Sequence, residues 1–483
     1  MIIHITTQES RPAYHKGLLL VKLRPSAAPL AASFTAGAVG GGTLHTPGFS
    51  AMAVFERAGL VKKITPLARP SEPAALTVGA PGIMAVLVAS ASRGGPESPL
   101  VGTSLVELEQ DAHVDEMRMA LAQDPHVEYV SRVPIRYLLA RPRGSRETDR
   151  SPPGAGIRAV PPAASTMWNL RAIRWQDARN RSGFVPAENI KVAVLDTGID
   201  RHHPDLGPRV KGYTYSHPDL PVTASDRDII GHGTHVSGTI AALINNNLGI
   251  NGISEAQIWM WKIFPDQEAF TGRAFEFIVD PVMYQRALSD CIEQGMAAVN
   301  LSIGGSGAPD PNERQLFNLL LSRGTIVVAA MGNEFEEGNP VEYPAAIPGV
   351  IAVGATSLDD RRASFSNTGN HMALCAPGVG IWSTLPTYAG RLGHRAIPGP
   401  SGLPRRGPAI PRDTNYAAWD GTSMATPHVT GAVALLYANK GHMNPSEARV
   451  ALMRTADKVA GMDGSNFTSD YGAGRLNLER LLA

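Results

Sequence analysis

Two rhythms of apolar residues divide the chain. Before about residue 140, "KGLLLVKLRP" and "SLVELE" read as strands, and "VEYVSRVPIRYLL" as a further strand. Between them "AHVDEMRMALAQD" reads as an amphipathic helix, because Val114, Met117 and Leu121 recur at helical spacing on one face. These elements predict a small α+β domain over residues 1–140. From residue 167 to 483 the pattern changes to short, almost wholly apolar runs: "KVAVLD", "QIWMWKIF", "AAVNLSIGG", "TIVVAAMGN" and "VIAVGAT". They alternate with helical stretches such as "DPVMYQRALSDCIEQG" and "PNERQLFNLLLSRG". Strands covered on both faces need no polar side, so this alternation predicts an α/β fold with a doubly wound, mostly parallel sheet. In such sheets the active site lies beyond the carboxyl ends of the strands.

Residues 141–166 are rich in proline and arginine and predict a linker between the two domains. A second such stretch, "GRLGHRAIPGPSGLPRRGPAIPRD" at residues 390–413, predicts a surface loop near the active site. The start "MIIHITTQESRPAYHK" lacks the basic residues and apolar core of a secretory signal, and "GIMAVLVASA" is too short to cross a bilayer as a helix. A soluble, cytoplasmic monomer with no membrane partner is therefore expected. With 44 Lys+Arg against 43 Asp+Glu, no electrostatic pull toward nucleic acid arises. Two cysteines, Cys291 and Cys375, make no disulfide framework.

Candidate chemistry gathers at the predicted strand ends. Asp196 closes "KVAVLD", and by itself is equally a turn residue. In "GHGTHVSGTIAALI" His232 opens a helix; a metal pair with His235 is disfavoured, because the spacing is one short of the zinc-protease pair and no Glu follows His232. Asn333 follows another strand in "AAMGNE". In "GTSMATPHVTG" Pro427 marks a helix start, since proline is tolerated in a first turn, and Val429, Val433 and Leu436 continue at helical spacing. Ser423 then lies at a helix N-terminus, where unpaired N–H groups favour an anion; by itself it reads as an N-cap. Together these residues supply nucleophile, base, orienting carboxylate and oxyanion donor, the requirement for acyl transfer. His428, on the same helix as Ser423, reads as a packed core histidine.

From about Trp168 onward the chain resembles the subtilisin-family serine proteases, in "VAVLDTGIDRHHPDL", "GHGTHVSGT", "VNLSIGG", "VVAAMGNE", "ASFSNTG", "CAPG" and "GTSMATPHVTG", in the family's order. The resemblance implies a serine endopeptidase acting on proteins or peptides, with Ser423 as nucleophile, His232 as base, Asp196 orienting it, and Asn333 with the Ser423 N–H as oxyanion donors. It implies a specificity pocket walled by Ser302, Gly304, Ala330 and Gly332, with Glu334 at the rim and Glu342 at the base, favouring Lys or Arg. The alternative is that Glu342 faces solvent or pairs with an arginine. "INNNLGING" resembles the family's calcium loop, which implies ligands from Ile244, Asn246, Leu248 and Ile250 with Asp205; an Asn-rich turn is the alternative. No organic cofactor is expected. Residues 1–140, through "DPHVEYVSRVPIRYLL", resemble an inhibitory prosegment. This implies an intramolecular inhibitor removed by self-cleavage, with Arg141, Arg143, Arg146, Arg150 and Arg158 as candidate cut sites; a permanent regulatory domain is the alternative. A noncatalytic binding protein or an esterase would share the scaffold.

Overall fold

The computed structural model describes residues 11–24, 54–55, 57–68, 99–142, 167–215, 227–271, 274–399 and 403–483. Seven strands lie parallel in one sheet, in the order Met372–Pro377, Ile351–Thr356, Ile326–Ala330, Ala298–Leu301, Lys191–Asp196, Gln257–Lys262 and Val210–Tyr215. Alternation along each strand explains why these runs are apolar throughout. Val192, Val194, Ile326 and Val328 face one apolar cluster with Val429, Val433 and Leu436 of the helix Thr422–Lys440. Ala193, Leu195, Val327 and Ala329 face the other, with Leu288 and Phe317 from the helices Pro281–Gln294 and Pro311–Ser322. Both of those helices begin with proline behind an aspartate cap: Asp280 Oδ1 accepts from the Met283 N–H at 2.8 Å, and Asp310 Oδ1 from the Glu313 N–H at 2.9 Å.

The central helix corrects one expectation. It starts at Thr422 with Gly421 as its cap, so Pro427 lies inside it rather than at its beginning. A residue at that position would ordinarily donate its N–H to the Ser423 carbonyl, four residues back. Here the Ser302 hydroxyl donates to that carbonyl at 3.0 Å, so the bond proline cannot make is replaced.

The N-terminal domain is a four-stranded antiparallel sheet, ordered Val61–Pro66, Thr103–Leu108, Tyr14–Leu23 and Val127–Pro134. One face packs Leu19, Val21 and Val106 against Val114, Met117 and Leu121 of the helix Val114–Ala122. From the other, Leu20 and Val133 join Val282 and Tyr284 of the peptidase-side cluster. The stretch expected as a single last strand divides after Pro134. Tyr137–Leu138 leaves this sheet to pair with Ile303–Gly304, and Arg141–Pro142 pairs with Trp419–Asp420. The boundary at residue 140 thus falls within a segment laid across the larger domain. Residues 143–166 and the run "GIMAVLVASA" lie outside the described residues.

The stretch at 390–413 is not a simple loop. Arg391–Pro398 and Pro404–Pro411 form an antiparallel hairpin, continued into a sheet by Phe275–Glu276 and Ala269–Phe270. Pro398, Pro404 and Pro411 stand at strand ends, where a missing N–H disturbs the ladder least. The buried Glu268 anchors the hairpin by accepting from Arg391 Nε at 2.6 Å and pairing with His394 Nδ1 at 3.0 Å. Cys291 and Cys375 are buried and free. Among the described residues no helix is long and apolar enough to cross a membrane.

Candidate active site

Asp196 is the last residue of its strand, and His232 is the first of the buried helix His232–Ala241. Gly231, the residue that caps this helix, has φ +89°, a conformation that glycine adopts without steric cost. His232 Nδ1–H donates to Asp196 Oδ1 at 2.7 Å, and both side chains are fully buried. The bond fixes the tautomer and leaves Nε2 without a hydrogen-bond partner.

A second carboxylate, which motif reading passed over, locks this pair in place. Asp228 accepts from the Thr197 hydroxyl at 2.7 Å, the Gly231 N–H at 2.8 Å, the Thr234 N–H at 2.9 Å and the Thr234 hydroxyl at 2.7 Å. Thr197 Oγ1 in turn accepts from the Gly233 N–H at 2.9 Å. The turn after Asp196 and the start of the His232 helix are therefore tied to one buried anion. The only trace in the sequence is an acidic residue shortly before "GHGTH".

Ser423, the second residue of its helix, is buried; its hydroxyl donates to the Ser302 carbonyl at 2.8 Å. Its N–H donates to the Leu139 carbonyl at 3.3 Å. Asn333 Oδ1 accepts from the Thr422 N–H and hydroxyl, each at 2.9 Å, which fixes the orientation of the amide. A methyl group on Gly421 would lie 2.4 Å from Leu139 O and 3.3 Å from Asn333 Nδ2, so carbonyl and amide share one narrow space. His232 lines the same cleft with Leu138, Ala140, Phe277, Leu392 and Trp419. Ser423 and Asn333 thus stand at the Leu139 carbonyl, and His232, bonded to Asp196, lines the cleft beside Ala140. "RYLL" was expected as part of one strand of an inhibitory prosegment; no chemical motif marks which of its peptides would reach Ser423.

Leu139 is buried in the expected specificity pocket. A methyl group on Gly304 would approach its Cδ1 to 2.6 Å and Glu342 Oε2 to 2.2 Å, and one on Gly332 would lie 3.0 Å from Glu342 Cδ. Glu342 is only 3% exposed, and its Oε2 has no hydrogen-bond partner. Burial, and then the neighbouring Glu334, push its carboxyl well above the ordinary glutamate range. Glu334 accepts from Arg11 Nη1 at 3.2 Å and from the Asn333 N–H at 2.6 Å. Ser302, just past the strand Ala298–Leu301, and Ala330, the last residue of the adjoining strand Ile326–Ala330, are both buried.

The two other histidines of the His232 and Ser423 helices are structural. His235 donates from Nε2 to the Ile381 and Ala417 carbonyls at 3.1 and 3.3 Å and stacks on Trp419; burial lowers its pKa to about 3. His428 is held between the Met424 carbonyl at 2.8 Å and the Asn169 amide at 2.9 Å, and burial lowers its pKa to about 4. At the expected calcium loop Asp205 accepts from Asn246 Nδ2 at 2.7 Å, the Ile250 N–H at 3.0 Å and the Tyr416 hydroxyl at 3.3 Å. Leu248 N–H donates to Asn246 Oδ1 at 3.0 Å, and Ile244 packs at the edge of the core. Burial raises the Asp205 pKa to about 6. No group of three or more His, Cys, Asp or Glu side chains suited to a metal occurs among the described residues.

A peptide held against a helix-start serine, next to an Asp–His pair and beyond the carboxyl ends of a doubly wound sheet, is the arrangement of a serine hydrolase. The chain belongs to the subtilase family, whose model matches residues 187–474. It is 36% identical over 318 residues to subtilisin Savinase of Lederbergia lenta, covering 66% of this chain and 98% of that protein. To subtilisin E of Bacillus subtilis (strain 168) it is 35% identical over 321 residues, covering 66% of this chain and 71% of the relative. The crystal structure of fervidolysin from Fervidobacterium pennivorans shares the fold, with a TM-score of 0.59 at 23% identity; the match covers 98% of this chain and 62% of fervidolysin. The protein is a subtilisin-like serine endopeptidase.

Removing a buried anion that satisfies four donors strands all of them. Asp228→Ala, made with Ser423→Ala to prevent self-digestion, is expected to lose about 3 kcal/mol of stability in chemical denaturation. A loss below about 1 kcal/mol would show that water or neighbouring groups take over these donors.

Proposed function

We propose that the chain is a self-inhibited endopeptidase precursor whose Leu139–Ala140 bond is its own first substrate. The observation that carries this reading is the Leu139 carbonyl, which accepts the Ser423 N–H at 3.3 Å and lies beside the Asn333 amide. For reaction, the Ser423 hydroxyl exchanges its Ser302 acceptor for His232 Nε2, which takes the proton as Oγ bonds to the Leu139 carbonyl carbon. Asp196 keeps the ring in the reactive tautomer and stabilises its charged form. The oxyanion is met by the Ser423 N–H and the Asn333 amide, donors already in position before charge develops. The C–N bond then breaks, the Ala140 nitrogen receives the proton from His232, and water releases Leu139 from Ser423 by the reverse proton path.

In this scheme the chain up to Leu139, the cleaved part of the domain expected over residues 1–140, acts as the intramolecular inhibitor. Backbone pairing on both sides of Tyr137, with Gly304 and with Ile278, holds the strand in the cleft. The N-terminal sheet adds apolar contact through Leu20 and Val133. The primary pocket is taken by Leu139. Cleavage after Leu139 therefore fits the geometry better than cleavage after Arg141 or the arginines beyond it.

A dual preference at the primary pocket follows from Glu342. Protonated, it leaves a neutral wall that accepts leucine; ionised, its unpartnered oxygen gives Lys or Arg a partner. Glu334, Arg11 and Arg136 are the charged groups that act on it. Because its pKa is raised, the ionised form gains as pH rises, and preference for a basic residue grows with it.

For calcium, the support is a buried carboxylate, Asp205, whose donors are the Asn246 amide, the Ile250 N–H and the Tyr416 hydroxyl, with no basic side chain among them. Asp205, Asn246 and the carbonyls of Ile244, Leu248 and Ile250 are oxygen donors of the type a hard cation takes. A bound ion there would brace the loop after the His232 helix.

Three outcomes are expected. A fluorophosphonate labels the wild type and not Ser423→Ala, and mass spectrometry finds a new N-terminus at Ala140 only in the wild type; a terminus following an arginine would refute the register, while absent labelling would refute the peptidase. In a peptide series, the kcat/KM ratio of Lys over Leu before the scissile bond rises with pH and falls roughly tenfold in Glu342→Gln, the equivalent of one charge-assisted hydrogen bond. Chelation lowers the Tm by at least about 3 °C, and an unchanged Tm removes the ion.

A further inference from the structure

We propose that Glu313 makes this enzyme select arginine at the fourth residue before the scissile bond, an inference that rests on the peptidase reading and on residues 136–139 lying in the cleft as a substrate does. With Leu139 immediately before the bond, that fourth residue is Arg136. Its place in the register is fixed on both sides. Leu138 pairs with Ile303 and Tyr137 with Gly304, and the Val279 N–H donates to the Arg136 carbonyl at 3.0 Å.

The Arg136 side chain enters a pocket lined by Val279, Pro281, Tyr284, Gln285, Asp310 and Glu313. Nη2 donates to Glu313 Oε2 at 2.8 Å and Nε to Oε1 at 3.4 Å, a two-point contact with one carboxylate. Nη1 donates to the Gly307 carbonyl at 2.8 Å. The Tyr284 hydroxyl donates to Glu313 Oε1 at 3.1 Å and steadies the acceptor. Asp310, the neighbouring acid, is occupied elsewhere: it accepts from the Glu313 N–H at 2.9 Å and from Gln285 Nε2 at 3.1 Å. Glu313 is thus the carboxylate available to an incoming cation. Arg136 is 2% exposed and Glu313 1%, so both charges are out of water.

Val133 and Pro134 also line this pocket and leave with the N-terminal domain, but the groups that meet the guanidinium, Glu313 and the Gly307 carbonyl, belong to the peptidase domain and stay. Arginine alone matches what is then left. A leucine or phenylalanine would bury Glu313 with the Tyr284 hydroxyl as its remaining side-chain donor and leave the Gly307 carbonyl without the guanidinium, a cost of desolvation with no return bond. Lysine brings charge but not the planar fork that reaches carboxylate and carbonyl together. Tyr137 contrasts with this, because its hydroxyl donates to the Pro12 carbonyl at 2.7 Å and Arg11 lies over its ring. Those partners depart with the inhibitor, so selectivity at that residue is weak by comparison.

The test uses self-processed wild-type protein and two fluorogenic peptides, Arg-Tyr-Leu-Leu and Leu-Tyr-Leu-Leu, each cut after the last leucine. The arginine peptide is expected to show a kcat/KM at least about tenfold higher, mainly through KM, with the preference abolished in Glu313→Gln. Equal rates in the wild type, or a preference that survives Glu313→Gln, would overturn the proposal while leaving the peptidase intact. If Glu313→Gln does not fold, the wild-type comparison decides alone. Hydrolysis of neither peptide, together with absent fluorophosphonate labelling, would bring down the peptidase reading and this proposal with it.

Discussion

The 2.7 Å hydrogen bond between Asp196 and His232 is the contact around which the larger domain is arranged. Two fully buried polar side chains are tolerable only when the protein replaces the water they lose. The parallel sheet brings Asp196 to the end of a central strand, and a helix starting just beyond it presents His232. Asp228 then ties turn to helix through Thr197, Gly231 and Thr234. His235 and Trp419 close the other side with stacked rings. None of these groups reacts, yet each limits how far the imidazole can move.

The cleft beside this pair accepts a strand because its walls are edges of backbone. Ile303–Gly304 offers one ladder and Ile278–Val279 another, so an extended chain between them satisfies its own N–H and C=O groups. Backbone pairing is indifferent to side chains, and it sets only the register. Selectivity is left to the pockets under alternate residues, where small residues such as Gly304 and Gly332 leave room. The same ladder serves inhibition and catalysis, which is why one segment can block the cleft and also present a bond to Ser423.

Three buried acids of this protein differ in the partners that face them. Glu313 meets Arg136 and Tyr284 and is held as an acceptor. Glu342 is equally secluded but has an unpaired oxygen, and its carboxyl is driven upward by burial and by Glu334. Asp205 has N–H and O–H donors but no cation, and its pKa rises to about 6. A polar group in a dry site is defined by what faces it.

The sequence by itself determined the parallel α/β class and the apolar strands, and it carried the motifs that contain Asp196, His232, Asn333 and Ser423. Those features are written in local patterns: apolar runs, turn glycines, helix starts and short motifs. It missed the clasp at Asp228, read the hairpin at 391–411 as a loop, and started the helix that carries Ser423 at Pro427, because each depends on partners distant along the chain. Pro427 is tolerated only because Ser302 reaches the Ser423 carbonyl. That Leu139 rather than an arginine fills the primary pocket, and that Arg136 meets Glu313, was decided by tertiary structure alone. Register across a cleft and pairing between residues remote in sequence are products of packing, and no short window of residues contains both halves of such a contact.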